Sequence, residues 1–480
     1  MIDAFDTMRA VRAKAAEIEA LVRRLLNDEP ALRSSLDFGP MVRQGVSPHP
    51  ALIICDQSGT ELFNLEGVGL SEHRMALLAR PGDTVAVRRR VHEFERYLTE
   101  YLGMHDVTFL EAGSKDAEPI ARKLRTNPEL SEKLASALQP GTPLTIHSYL
   151  TTGHIWQLAK ALGEDRKSPV NVAGPGPRTS RRVNDKLWFW SLASELTGKH
   201  SVPPTLYAFG PAAAAAHAVR FARTCDSVVV KVPSSAGGKG NLRLESSVLR
   251  YTSLSDIRLM IEERLFAVGW KGTYPILVGV WESGIIASPS AQMWLPKPED
   301  GPPRILGLFE QRVEGVTGKF SGAQPAAIDQ TIAREMMTEA AILGALLQRI
   351  GYFGPCSLDA VIQEIDGGSE LHWVECNGRW SGVSIPLAAA RGLFENSIPD
   401  GLVILQELLP DAKRMSTSGL CTLLGDIIFQ KGASTEGIVI LSPPDRTDGM
   451  SVNVMVLAET QTRAASMIEE LYLRLNSRVT

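Results

Sequence analysis

An α/β protein built in three parts is the architecture this sequence predicts. Its 480 residues correspond to about three domains at roughly 150 residues each. Through the front third, short apolar segments alternate with helix-like stretches, the pattern of a parallel sheet covered on both faces. A hydrophobic fraction of 44% over this length can bury substantial cores, which excludes a disordered chain.

Phe5, Met8, Val11, Ala15, Ile18, Val22 and Leu25 recur every three or four residues and predict an amphipathic helix that stops before Pro30. Residues 52–56 read as a first strand, followed by strands at 85–87, 107–110, 144–147 and 170–173, with helices at 91–102 and 155–162. The segment 171–180 holds two prolines and two glycines and marks a boundary near residue 178. Beyond it come a helix at 185–196, a strand at 205–208, a helix from Pro211 and a buried strand at 228–232. Further strands are expected at 276–280, 285–287 and 305–309, then a long helix at 326–350 and two strands bracketing Asp366-Gly367-Gly368. From about residue 401 the tail offers strands at 437–441 and 452–457 and a helix at 462–475, enough for a small α/β end domain.

Composition narrows the function classes. A net charge of −4 gives no broad field for a polyanion, so nucleic acid is not an expected partner. Five cysteines without a C-x-x-C pair predict reduced thiols and no cysteine-rich zinc site. No apolar run approaches the ~20 residues of a membrane span. Asp3, Asp6, Glu17 and Glu19 among the first bases are unlike a transit peptide, so a cytoplasmic address is expected.

Three features carry chemistry. The first is V228-V-V-K-V-P-S-S-A-G-G-K-G-N-L-R243, a strand running into a Ser/Gly loop. Ser234, Ser235, Gly237, Gly238, Lys239 and Gly240 free the backbone to wrap an anion, and Lys231, alone among valines, must leave the core or meet a negative ligand. No G-x-x-x-x-G-K-[ST] is present and a strand is expected to follow, so this is not a Walker A loop.

The second feature is G351-Y-F-G-P-C-S-L-D-A-V-I362 with L371-H-W-V-E-C-N-G-R-W-S-G382. A three-residue loop at Asp366-Gly367-Gly368 would set Ile365 against Ser369 and Asp359 against Glu375. Asn377 and Arg379 follow Glu375 at spacings of two, hence on the same face. Opposed carboxylates repel unless a cation lies between them, and Asp359, Glu375 and the amide oxygen of Asn377 suit Mg²⁺. The third feature is Asn184-Asp185-Lys186 at the head of a helix.

In that order, Lys186, Lys231 with its Gly-rich loop, Asp359 and then Glu375-x-Asn377-x-Arg379-x-Ser381-Gly382 resemble the ATP-grasp superfamily over about residues 180–395. The front domain is similar to a pre-ATP-grasp domain, and the whole layout to the peptide ligases of natural-product biosynthesis, the pheganomycin type included. The resemblance implies a pre-ATP-grasp open α/β domain at 1–178, a two-lobed ATP-grasp body at 179–400 and a small C-terminal α/β domain at 401–480. It further implies ATP, with Lys186, Lys231 and the Gly-rich loop at its phosphates, and two Mg²⁺ ions (or Mn²⁺) on Asp359, Glu375 and Asn377. Lys231 and Arg379 would be catalytic, Arg379 meeting the transferred phosphoryl group.

The implied reaction joins a small carboxylate to an amine, an amino acid or short peptide, through an acyl phosphate with release of ADP. A homo-oligomer is left open. An ATP-grasp kinase, another ATP-dependent ligase and a non-catalytic ATP-binding protein are the rival readings. One departure stands out: the hinge strand I276-L-V-G-V-W-E282 has Gly279 where the family often has a glutamate, and Glu282 is displaced by three. Main-chain groups of Val278 and Val280 are then expected to read the adenine edge. The nine histidines fall in no motif and are expected to be solvated.

Overall fold

The computed structural model describes all residues except 1–3, 34–37, 49, 60–67, 114–117, 234–239, 315–318, 396–397, 410–413, 447–448 and 477–480. The N-terminal periodicity folds as two consecutive helices, Ala4–Ala13 and Ala15–Asp28, interrupted at Lys14. The second buries Ile18, Leu21 and Val22 against a core shared with the long helix Gln330–Arg349.

The front third forms a six-stranded parallel sheet in the order Val42–Gln44, Val170–Val172, Leu144–Ser148, Ala51–Ile54, Thr84–Val87, Thr108–Glu111. Alternate residues serve two cores: Leu52, Ile54, Ala86 and Ile146 face the helices Ile120–Thr126 and Gly153–Arg166, while Ile53, Val85 and Val87 join a core shared with the C-terminal strands. The edge strand Val42–Gln44 was not expected; three residues of mixed polarity carry no periodic signal.

A four-stranded antiparallel sheet follows, ordered Thr205–Ala208, Ile276–Val280, Ser227–Lys231, Asn241–Glu245. Helices Pro211–Ala222 and Leu254–Ala267 cover one face of this small lobe through Ala214, Ala218, Ile257 and Ile261. Its other face is turned to the cleft described below.

The remaining strands make a ten-stranded sheet in which every pair is antiparallel. Gly354–Ile365 lies between Pro289–Leu295 and Gly368–Asn377, and the sheet continues through Arg304–Glu314 and Lys319–Pro325 to Val403–Leu409, Gly449–Leu457 and Gly437–Ile440. The C-terminal segment therefore extends the central sheet and adds the helices Thr417–Leu424 and Gln461–Asn476. Among the described residues no helix is long and apolar enough to cross a membrane.

The seam between central and C-terminal strands is tight at Gly322, where an added Cβ would lie only 2.2 Å from the carbonyl oxygen of Ile404. Gly322→Ala is expected to lower stability by about 2–4 kcal/mol, because backbone on the neighbouring strand must move to admit it. Urea unfolding of wild type and variant checks this.

Candidate functional site

The hairpin that carries Asp359 and Glu375 is built by a turn and a bulge together. Ile365 pairs with Gly368, so the loop is the two residues Asp366-Gly367, not the three expected. Left regular, that register would set Asp359 opposite Val374. Instead the ladder shifts by one between Asp359 and Ala360, Ala360 pairs with Trp373, and Asp359 faces Glu375. Val374 is the extra residue, a bulge of the kind that re-aims side chains beside active sites.

Around this pair the structure assembles a polar cluster. Ser290 Oγ donates to Asp359 Oδ1 at 2.6 Å, and Gln292 Nε2 donates to Ser290 Oγ at 2.8 Å. Asn377 Nδ2 donates to Asp359 Oδ2 at 2.8 Å and reaches Glu375 Oε1 at 3.4 Å. Lys186 Nζ lies 2.9 Å from Glu375 Oε2. Asp185 caps the helix Lys186–Leu196 by accepting from the amides of Leu187 and Trp188, and this fixes where Lys186 starts. A buried lysine at the positive end of a helix is unfavourable by itself, and Glu375 offsets it.

Arg379 is held by Asn184 Oδ1 and Asn377 Oδ1, while Asn184 also accepts from the amide of Gly378 and donates to its carbonyl. Asn184 thus ties the helix-heading segment to the signature loop; its place beside Lys186 in the sequence was the available signal. Asn377 turns its Nδ2, not its Oδ1, towards the carboxylates, contrary to the expected ligand atom. Ligation through Oδ1 requires the amide to flip and release Arg379.

Lys231 ends the strand Ser227–Lys231, paired with Leu277 on one side and Asn241 on the other. The amide of Val232 bonds the carbonyl of Gly240, closing the loop as a strand-to-strand hairpin. Ser234, Ser235, Gly237, Gly238 and Lys239 lie outside the described residues.

Lys186, Trp190, Thr205, Val229, Lys231, Leu277, Gly279, Trp373 and Val374 line one cleft between the small lobe and the hairpin. Leu277 and Gly279 face it, so the side chain of Val278 points into the small-lobe core. Val278 sits in an interior strand, paired with Leu206 and Val230, which removes its main chain from reading a base. The Val280 amide donates to the Pro204 carbonyl, leaving its own carbonyl for any base contact.

The missing hinge acid has a steric cause. A Cβ at Gly279 would come 2.7 Å from Thr205 Oγ1 and 2.8 Å from the Pro204 carbonyl. Glu282 instead accepts from His372 Nδ1 at 2.6 Å, and both are buried. His372 is therefore not solvated as expected, nor is His73, 1% exposed. Burial pulls His372 down, but the Glu282 contact and charge raise it overall.

Electrostatics mark the cluster as prepared for a cation and an anion together. Burial, then the charge of Glu375, pushes Asp359 up to about 6. Burial also acts upward on Glu375, but Lys186, Arg379 and Lys231 hold it below the usual carboxylate range. Burial pulls Lys231 from 10.5 down to about 8. Two half-buried facing carboxylates with oxygen-bearing neighbours fit a hard divalent ion, and buried Lys186 with half-buried Lys231 fits polyphosphate.

Comparisons with known proteins agree with this layout. Residues 72–164 match the family model described as the Pre ATP-grasp domain. N5-carboxyaminoimidazole ribonucleotide synthetase in its ADP complex aligns at TM-score 0.52 and 12% identity, covering 88% of this chain and 95% of its own. The biotin carboxylase domain of Hydrogenobacter thermophilus 2-oxoglutarate carboxylase, with MgADP, ADP and bicarbonate, aligns at 0.54 and 13%, covering 88% and 89%. Phosphoribosylamine–glycine ligase from Thermotoga maritima aligns at 0.52 and 14%, covering 89% and 97%. A search of curated proteins gives no match. The chain has a pre-ATP-grasp domain followed by an ATP-grasp fold.

The proton linkage has a definite sign. Between about pH 4 and 6 folded Asp359 holds a proton that the unfolded chain has lost, so its contribution to stability falls as pH rises through that window. Lys231 acts oppositely: from about 8 to 10.5 the unfolded chain binds more protons, so stability rises with pH. Without ligands, Asp359→Asn should remove the first loss, and its melting temperature relative to wild type should climb between pH 4 and 6. Parallel melting curves for the two chains would contradict the assignment.

Proposed function

We propose that this protein is an ATP- and Mg²⁺-dependent carboxylate–amine ligase that releases ADP. The observation carrying this reading is the convergence of Lys186, Lys231, Asp359, Glu375, Asn377 and Arg379, from three separate chain segments, on one cleft edge. The relatives in fold include a ligase and carboxylating enzymes crystallised with adenine nucleotides.

In this reading 1–178 is the pre-ATP-grasp domain, 179–400 the ATP-grasp body and 401–480 the C-terminal domain. The substrates are a small carboxylate and an amine of the amino acid or short peptide class, in specialised-metabolite chemistry of the pheganomycin type. Leu277 and Val374 wall the base, and Lys186 and Lys231 meet the phosphates, with Ser234, Ser235, Gly237, Gly238, Lys239 and Gly240 as the loop that serves them. Asp359 and Glu375 would hold Mg²⁺, joined by Asn377 after its amide turns. Bound there, the metal neutralises phosphate charge as the phosphoryl group is transferred.

A substrate carboxylate oxygen attacks the γ-phosphorus, the bond to the β-phosphate oxygen breaks, and ADP departs. Arg379, fixed by Asn184 and Asn377, presents a planar cation to the phosphoryl group and then to the acyl phosphate. The amine attacks the carbonyl carbon, the bond to the phosphate oxygen breaks, and the amide remains as the proton lost from nitrogen leaves with the phosphate as HPO4²⁻. No general base is required for the first step, because the attacking group is already an anion.

ADP release followed by coupled assay should require both a carboxylate and an amine, with a new amide in the mass spectrum. Arg379→Ala and Glu375→Gln should each lower that rate at least about a hundredfold, since each removes charge stabilisation met mainly in the transition state. A stable phosphorylated product formed without an amine would favour a kinase instead.

A further inference from the structure

Two arginines are buried beside the strand ends of the front domain, Arg74 where Gln406 of the central sheet reaches it, and only one is matched by acids. Arg88, 3% exposed, lies 2.6 Å from Asp56 and 3.2 Å from Glu72. Arg74, 5% exposed, donates through Nε to the Ser71 carbonyl at 3.3 Å and through Nη1 to Gln406 Oε1 at 2.8 Å. Among the described residues no carboxylate pairs with Arg74 and no hydrogen bond reaches its Nη2. Its sequence neighbour Glu72 is engaged by Arg88 and the amide of Gln57. A buried cation without an anion is destabilising by itself, and the site is physically sensible if an anion arrives.

The position of Arg74 agrees. Strand Ala51–Ile54 has Leu144–Ser148 on one side and Thr84–Val87 on the other, and the chain leaves it towards Thr84–Val87. That is the switch point of a parallel sheet, where open α/β domains bind ligands beyond the strand ends. The carbonyl of Tyr149, just past Leu144–Ser148, accepts from the amide of Trp380, between Arg379 and Ser381. The short helix Glu72–Leu78 that carries Arg74 packs on the helix Ser384–Leu393, which follows that signature loop.

We infer that Arg74, steadied by Gln406, binds a carboxylate of a substrate other than the one that reacts. This rests on the ligase reading above, in which Arg379 and the acids serve the reacting group. Holding a second carboxylate in a planar guanidinium fork keeps it from the γ-phosphate and orients the molecule that bears it. An amine that is an amino acid or peptide carries such a group at its C-terminus; a donor with two carboxylates carries it elsewhere.

Thermal shift on the full chain tests this. The probes are free amino acids, dipeptides, their C-terminal amides, and N-acetylated dicarboxylic amino acids, each added with MgADP. Wild type should be stabilised by MgADP, and further by some members with a free second carboxylate. Amides losing the effect identify the acceptor as the source; a response confined to the dicarboxylic donors identifies the donor. Arg74→Met should keep the MgADP shift, melt at or above wild type without ligand, and weaken the further response on the order of a hundredfold. Arg74→Lys keeps the charge without the fork, so it should also weaken the response, which covers the case in which Arg74→Met fails to fold. A response unchanged in either variant, or none from wild type to any free carboxylate, overturns the inference. Absence of the MgADP shift in wild type would instead overturn the nucleotide reading.

Discussion

Asp359 faces Glu375 across two paired strands in a largely buried setting, and much of the surrounding construction compensates for that repulsion. Lys186 meets Glu375, Ser290 and Asn377 donate to Asp359, and Arg379 lies behind Asn377. Such an arrangement is poor for stability, because burial raises Asp359 and lowers Lys231, each towards its neutral form. It is good for a ligand that brings negative phosphates and positive metal together: the lysines gain anions and the carboxylates gain a cation.

The three bodies of the fold matter through where they touch this cluster. The small lobe contributes Lys231 and the cleft wall of Leu277 and Gly279. The central sheet contributes the acids and Arg379, and the helix-heading segment contributes Asn184 and Lys186. The front domain reaches the same loop from the far side, through the Tyr149 carbonyl on the Trp380 amide. Its two buried arginines, one matched by acids and one not, separate a structural ion pair from a waiting site.

Strands such as Ile276–Val280 and Ile285–Ala287 were legible in the sequence to the residue, because short β-branched runs bounded by glycine, proline or polar residues leave little choice. The opposition of Asp359 and Glu375 was legible too, though the route to it was not. A three-residue loop and a two-residue loop with a bulge give the same pairing beyond the bulge, and only the folded ladder distinguishes them. Val278 was misplaced because the hinge strand lies inside its sheet, and neighbours on both sides depend on topology. Burial of His372 against Glu282, and the missing partner of Arg74, depend on residues about ninety and more than three hundred positions away, which no local pattern encodes.

Metal binding to the nucleotide-loaded protein tests the central pair most directly. Mn²⁺ in place of Mg²⁺ can be followed by its electron paramagnetic resonance signal while it is titrated into protein with ADP. The account predicts tight, ADP-dependent loss of the free-ion signal in wild type, and affinity reduced on the order of a hundredfold in both Asp359→Asn and Glu375→Gln. Binding of equal strength in wild type and both variants would contradict it.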